Sequence, residues 1–397
     1  MPTAIDRLPF VTTEAEREDY RLLHAAAFMA LFCVGLYGAS FGPVLPFIAA
    51  DMGVSLDTAG LILTALFIGS ITASASVAIV LHGRDTRILC IAGLSCIALG
   101  LTLLAFAPSW PIVLVAGVVI GLGDGLVVAS THILMPLTSA DVPSAINKLN
   151  LYFAFGAIAG PIWAGAILAL TDDRAIVYAG FAIVTVIVLG VMIAADAAVH
   201  HPIAAPDERF RLPGNPTAWI MGVVLFLYVG AEFGLGTWVS SYTRETAHAG
   251  VFAGALLTSG YWAALALGRV FGAVYFARGR DASRLLAVMA AGAGISTLVL
   301  TFSSGNIGLS ALGAFGAGFC FGPIWPSTVA IASEGSPASA TATTVTIGNA
   351  GGGAIPWLQG KVLVGAGPGQ GVAVTAVLCA LMFGIVSVFR LKRRTAA

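Results

Sequence analysis

Twelve stretches of this chain are long and apolar enough to cross the hydrocarbon core of a bilayer, with little polar sequence between them. A membrane helix needs about 20 predominantly apolar residues. Segments of that size lie at 22–49, 57–82, 88–107, 111–139, 145–171 and 175–197, then at 217–243, 251–278, 285–303, 307–333, 340–365 and 371–390. Only 10% of the residues are charged and 58% are hydrophobic, whereas a soluble domain carries about 25% charged residues. So little charge cannot cover a water-facing surface, and the natural solvent of the chain is lipid. The formal net charge is +0, which gives no basis for nucleic-acid binding.

Three polar segments frame the spans: a leader at 1–21, a linker at 198–216 and a tail at 391–397. The linker divides the chain into six-span bundles at 22–197 and 217–390. Lys and Arg concentrate on the cytoplasmic side of membrane proteins. With the N-terminus inside, fifteen of the nineteen basic residues fall on that side. Both termini and the linker are therefore expected in the cytoplasm, with the chain in the inner (plasma) membrane.

The two halves repeat. Gly83-Arg84-Asp85 follows the second span and Gly279-Arg280-Asp281 follows the eighth, 196 residues later. GAIAGPIWAG begins at Gly156 and GGGAIPWLQG at Gly351, which pairs Pro161 with Pro356 and Gly165 with Gly360 at an offset of 195. Duplicated bundles of this kind are a transporter architecture. The expected fold is an all-α membrane protein of twelve transmembrane helices, arranged as two pseudo-symmetric six-helix bundles.

A 6+6 layout with short basic loops after the second and eighth spans resembles the major facilitator superfamily over essentially the whole chain. The loop VLHGRDTR departs from the usual GxxxDRxGRR order, because its acid follows Gly83 and Arg84. Within the superfamily, LYVGAEFGLGTWVSSY (227–242), ALGRVFGAV (266–274), GFCFGPIWPSTVAI (318–331) and VTIGNAGGGAIPWLQG (345–360) look like the fucose/glucose–proton symporter branch. The resemblance implies solute transport by alternating access. It implies a cavity lined by spans one, four, seven and ten, and gating by the loops that hold Arg84, Asp85, Arg280 and Asp281.

Ionisable residues inside spans are costly and usually face the bundle interior or a cavity. Spans three, six, nine and twelve have none in their middles. Glu232 stands midway along span seven between Gly230 and Gly234, and Asp124 stands midway along span four among glycines. Each is either a proton-coupling carboxylate or a structural acid, Glu232 in the second case paired with Arg269. Arg269 orders helix packing or a gate. His132 is a relay, a substrate donor or a satisfied core histidine. Tyr37, Ser40, Tyr228, Tyr261, Trp262, Trp325, Asn349 and Gln359 complete a candidate substrate-binding set of aromatic, hydroxyl and amide groups. Trp325 and Asn349 lie nearest mid-span, while Trp238 stands where an interfacial tryptophan would.

No metal or cofactor site is expected. Asp124 and His132 are separated by about 12 Å along one helix, too far to share an ion, and the five cysteines form no CxxC pair. No P-loop, GxSxG or HExxH motif is present, so the chain is read as a transporter and not an enzyme. The expected partners are a small-molecule, sugar-like substrate, protons and the bilayer, with the protein acting as a monomer. Two alternatives stay open: proton-antiport efflux of drugs or lipids, with a more apolar cavity, and a transporter-like sensor that does not translocate. The topology is testable at once: a cysteine introduced at position 207 should resist an impermeant thiol reagent in intact cells, and labelling there would overturn the orientation.

Overall fold

The computed structural model describes residues 20–80, 85–195, 199, 216–303, 305–334 and 338–396. Among them are fifteen α-helices and no strand. The first traverse is made of α1 (Arg21–Gly38) and α2 (Phe41–Met52), and the second of α3 (Leu56–Ala59) and α4 (Leu61–Val80). Then follow α5 (Thr86–Ala105), α6 (Trp110–Thr138), α7 (Val142–Thr171) and α8 (Arg174–Ala194). The second set comprises α9 (Pro216–Thr246), α10 (Val251–Ala277), α11 (Ala282–Thr301), α12 (Ile307–Phe321), α13 (Ile324–Ser333), α14 (Ala338–Ala366) and α15 (Pro368–Ala396). Among the described residues, 11 helical stretches are long and apolar enough to cross a membrane. The exception among the long helices is α14, whose ATATTVTIGNAGGG start lowers its mean hydropathy.

Three traverses expected as single helices are broken, the second only at Gly60, and proline explains the other two. A proline lacks the N–H that would bond residue i−4, and its ring clashes with that carbonyl. Pro43 acts in this way on Ala39, the residue that separates α1 from α2, where Ser40 N–H bonds Tyr37 O at 3.1 Å instead. Pro323 and Pro326 divide α12 from α13 at Gly322. Pro161 and Pro356 sit inside continuous helices.

Helices α1 to α8 pack among themselves, as do α9 to α15. Helix α6 runs against α4 and α5, and α1 against α7. In the second group α9 runs against α14, and α10 against α12. Helices α5, α8, α11 and α15 expose apolar rows, such as Ile183 and Ile187 on α8 or Val377 and Leu381 on α15, as lipid-facing helices must. The groups meet where α7 touches α10, α4 touches α14, and α2 touches α9 and α10.

The repeat is written into the packing. A methyl group on Gly121 or Gly125 of α6 would overlap the carbonyl oxygens of Leu66 or Ser70 on α4. A methyl group on Gly318 or Gly322 would overlap those of Tyr261 or Leu265 on α10. The second glycines follow the first by 197 residues, and their targets by 195. Likewise Gly156 lies on the Phe32 carbonyl and Gly351 on the Phe226 carbonyl, with 195 and 194 residues between the pairs. Such close approach is how membrane helices gain contact where lipid supplies no hydrophobic drive between them.

One buried side chain in each bundle ties helices together. The Arg174 side chain at the start of α8 is 6% exposed and its Nε donates to Asp51 at 2.7 Å, while its other nitrogens donate to the Leu104 and Ala107 carbonyls. Trp238, expected at an interface, is fully buried and donates from Nε1 to the Pro356 carbonyl at 2.8 Å. The GRD loops are held locally. Asp85 caps α5, accepting from the Arg87 and Val199 N–H groups at 2.9 and 3.0 Å, and Asp281 caps α11 through Ser283. Arg84 lies outside the described residues.

Gly121→Val should lower stability by about 1–3 kcal/mol, the usual cost of overpacking, and so should Gly318→Val. Gly190→Ala should change little, because nothing lies within 4 Å of a Cβ there. Melting curves of the detergent-purified variants check this, and equal midpoints for all three would refute the packing account.

Candidate coupling and substrate site

Two carboxylates stand inside the membrane-spanning helices, one in each bundle, and their surroundings differ. Asp124 is carried by α6 on the turn between Gly121 and Gly125, where the close approach of α4 brings Ser70 within reach. Ser70 Oγ donates to Asp124 Oδ2 at 2.8 Å, and Tyr37 from α1 donates to Oδ1 at 2.9 Å. Asp124 thus ties three helices together through neutral donors, with no cation bonded to it among the described residues. Hydrogen bonding by neutral hydroxyls lets the carboxyl exist with or without its proton, because hydroxyls can donate to the charged form and accept from the neutral one.

Glu232 on α9 is 6% exposed in its side chain. Arg269 on α10 supplies its charge partner, with the guanidinium 3.6 Å from Oε1. That contact is longer than a direct charge-assisted hydrogen bond of about 2.8 Å. The Tyr228 hydroxyl lies beside both groups without a hydrogen bond of normal geometry to either. Arg269 also sits 5.9 Å from the centroid of the Phe153 ring on α7, so it reaches across to the other bundle. The pairing of Glu232 with Arg269 open from sequence is therefore present, and it coexists with a position at the boundary between bundles.

An aromatic cluster adjoins Glu232. Phe67 of α4 meets Phe233 edge-on at 5.1 Å, Phe233 meets Trp262 at 5.8 Å, and Trp262 meets Tyr261 at 5.4 Å. Tyr228 continues it through Phe321 at 5.9 Å. Phe67 is one turn from Ser70, so the cluster links the surroundings of the two acids across the bundle interface.

The expected substrate-binding residues divide into two sets. Tyr37, Ser40, Tyr228, Tyr261, Trp262 and Gln359 are buried. Ser40 bonds its own helix at Leu36 O, and Tyr261 bonds the Glu232 carbonyl at 2.9 Å. Gln359 Nε2 donates to Thr375 at 3.0 Å, while Gln359 Oε1, Tyr228 OH and Trp262 Nε1 have no hydrogen-bond partner. Asp124, His132 and Asn349 are half-buried, and Trp325 is 38% exposed. His132 Nδ1 bonds the Val128 carbonyl at 2.8 Å, one turn back on its own helix, and makes no contact with Asp124. Arg280 lies over Tyr275, and Asp281 caps α11 through Ser283.

Sequence reasoning passed over Ser70, Phe67, Phe153 and the ion pair between Lys361 and Asp57. Lys361 on α14 lies 2.8 Å from Asp57 on α3 and so joins the bundles directly. Nearby, Thr64 donates to the Gly353 carbonyl at 2.6 Å, Ser259 donates to the Ile158 carbonyl at 2.8 Å, and Arg244 covers Phe47 at 5.6 Å. All four contacts lie toward the end of the molecule where α2 turns into α3 and α9 into α10. Arg269 over Phe153 joins the bundles nearer the α10–α11 turn than these four contacts do.

The model of the Major Facilitator Superfamily matches residues 27–360. The chain belongs to this superfamily. Its fold is similar to that of a POT family transporter in complex with 5-aminolevulinic acid, with TM-score 0.79 and 12% identity over 98% of this chain and 99% of that one. It is also similar to the nucleoside transporter NupG, with TM-score 0.71 and 12% identity over 92% and 97% of the two chains. At these identities the likeness is one of fold. Among curated proteins, "Bypass of stop codon protein 6" of Saccharomyces cerevisiae is 29% identical over 185 residues, which is 43% of this chain and 36% of that protein. The match spans about a third of the yeast protein's length.

Arg269→Gln should destabilise the protein by about 1–3 kcal/mol, because it strands the buried Glu232 charge; the usual 3–5 kcal/mol for a buried pair is reduced here by the exposure of Arg269. Glu232→Gln/Arg269→Gln should recover much of that loss. A double-mutant cycle on melting midpoints measures the coupling, and strict additivity would show the pair to be energetically idle.

Proposed function

We propose that this protein is a secondary active transporter that moves a small polar, sugar-like organic solute across the inner (plasma) membrane by alternating access, coupled to protons. The observation that carries the reading is the presence of one intramembrane acid in each bundle, Asp124 and Glu232, joined across the interface by the Phe67–Phe233 contact. An intramembrane carboxylate is costly when charged and unpaired, so its proton occupancy and its access to water are linked. Facing the proton-rich side, the carboxyl takes a proton and is readily buried. Facing the other side, it releases the proton.

The distribution of contacts between bundles supports alternating access. Asp57–Lys361, Thr64–Gly353 and Ser259–Ile158 hold one end together. With both termini and the 198–216 linker in the cytoplasm, that joined end is the outer one. The bundles then correspond to 22–197 and 217–390. Asn349, Trp325 and His132, which keep accessible surface, form the inner approach to the solute. Tyr228, Trp262 and Gln359, with unpartnered polar atoms, are the donors and acceptors that a polar solute would satisfy deeper in.

The motifs resembling the fucose/glucose–proton symporter branch favour a sugar-like solute. The similar solved structures are described with different cargo classes, so substrate identity rests on the residues of this chain. The hydroxyl, amide and indole groups of the candidate set argue against the purely apolar cavity that drug or lipid efflux would use.

Glu232→Gln should abolish proton-driven accumulation in proteoliposomes while leaving equilibrative exchange partly intact, because the amide mimics the protonated acid. Asp124→Asn should be compared in the same assay, with a solute first selected by thermal-shift screening, since ligands stabilise the folded state. If both variants accumulate solute against its gradient as wild type does, neither acid couples transport to protons.

A further inference from the structure

On the flank of the second bundle, away from the interface with the first, a cavity of about 410 Å³ opens between the end of α10 and the start of α11. Its walls are Phe271, Tyr275, Leu285, Val288 and Met289, with Arg280, Asp281 and Arg284 as its charged lining. The transport reading gives this groove no task.

Its charge is one-sided. The Arg280 guanidinium lies 5.4 Å from the Tyr275 ring centroid, which steers it toward the groove. Both arginines are exposed, and neither forms an ion pair among the described residues. The acid nearest in the chain, Asp281, is turned into the α11 cap, where its oxygens accept from Ser283 N–H at 2.8 Å and from Ser283 Oγ at 2.9 and 3.0 Å. Two arginines against this one carboxylate, which is itself engaged by Ser283, leave the mouth with a net positive charge.

The shape is equally one-sided. From Phe271 to Ala277, the last residue of α10, the groove follows the helix for roughly 9 Å at 1.5 Å per residue, and Arg280 stands in the turn beyond. That distance is more than half the depth of one leaflet of the hydrocarbon core, about 15 Å. A soluble anion would use the mouth and leave the trough empty. An apolar solute would fill the trough and leave both arginines unpaired. A molecule with an anionic head and a chain satisfies both parts, and in a bilayer that molecule is a lipid.

We propose that this groove is a binding site for an acidic phospholipid of the phosphatidylglycerol type. Its phosphate lies between Arg280 and Arg284, and an acyl chain runs along Tyr275, Phe271 and Val288. In the proposed orientation the site faces the cytoplasmic leaflet, where basic pockets between transmembrane helices recognise anionic headgroups. Each arginine near an anionic surface contributes on the order of fivefold in affinity, so the pair should favour the acidic lipid over a zwitterionic one by tenfold or more.

The test is thermal melting of the full-length protein in detergent, titrated with phosphatidylglycerol, phosphatidylcholine or glycerol 3-phosphate. Wild type should be stabilised by phosphatidylglycerol at concentrations at least tenfold below those needed with phosphatidylcholine, and glycerol 3-phosphate should do nothing. Arg280→Gln/Arg284→Gln should remove the preference between lipids. Val288→Trp, which fills the trough from an exposed position, should weaken both lipids together. Equal responses of wild type to the two lipids would overturn the proposal. So would stabilisation by glycerol 3-phosphate, which marks a simple anion site, or an arginine variant that keeps the preference. Should a variant fail to fold, native mass spectrometry of wild type extracted from equimolar mixed vesicles decides: retained phosphatidylglycerol supports the site, and retention of both lipids in equal amounts refutes it.

Discussion

Hydrocarbon offers a polar group no hydrogen bonds, so every charge and every backbone polar atom within the spans depends on a partner supplied by the protein. Much of the architecture follows. Asp124 is supported by hydroxyls from α1 and α4, and those hydroxyls reach it because α6 and α4 approach through glycine. Glu232 is supported by Arg269, whose position on α10 is set by the glycine contacts of that helix with α12. Helix approach and charge support are thus one constraint seen from two sides. Where a cation cannot reach water it is clamped, as Arg174 is by Asp51 and two carbonyls.

The two acids differ in a way that bears on their roles. The partners of Asp124 are neutral hydroxyls on its own bundle, so its protonation alters hydrogen bonding within one rigid unit. The partner of Glu232 is a cation that also touches Phe153 of the other bundle, so neutralising Glu232 changes a group at the interface itself. In the proposed mechanism a proton on Glu232 has the more direct mechanical reach, and a proton on Asp124 acts through the packing of α1, α4 and α6.

The fold was legible in the sequence because hydrophobic length and the positions of Lys and Arg are one-dimensional signals. The acids were legible because a carboxylate within 20 or so apolar residues has few harmless explanations. The rest depended on contacts between residues far apart in the chain. Ser70 is one of many hydroxyls in apolar helices, and nothing local marks it as the partner of Asp124. Lys361 and Asp57 each read as an isolated charge until folding sets them 2.8 Å apart. Trp238 read as interfacial from its place near a span end, yet the carbonyl of Pro356 gives its indole a buried acceptor. The breaks at Ala39 and Gly322 had a local signal in the paired prolines that follow, and hydrophobic length concealed it.

Duplication gave this chain two copies of each structural position, and the acids show how little redundancy survives. Counted by the packing offsets, Asp124 of α6 corresponds to Phe321 of α12, a buried ring that packs on Tyr228. Glu232 of α9 corresponds to Gly38, the last residue of α1, where nothing lies within 4 Å of a Cβ. At each of these paired positions only one copy carries an ionisable group, and the two acids lie in different bundles. Neither acid has an understudy: the symmetry of the scaffold cannot restore what a substitution at either one removes.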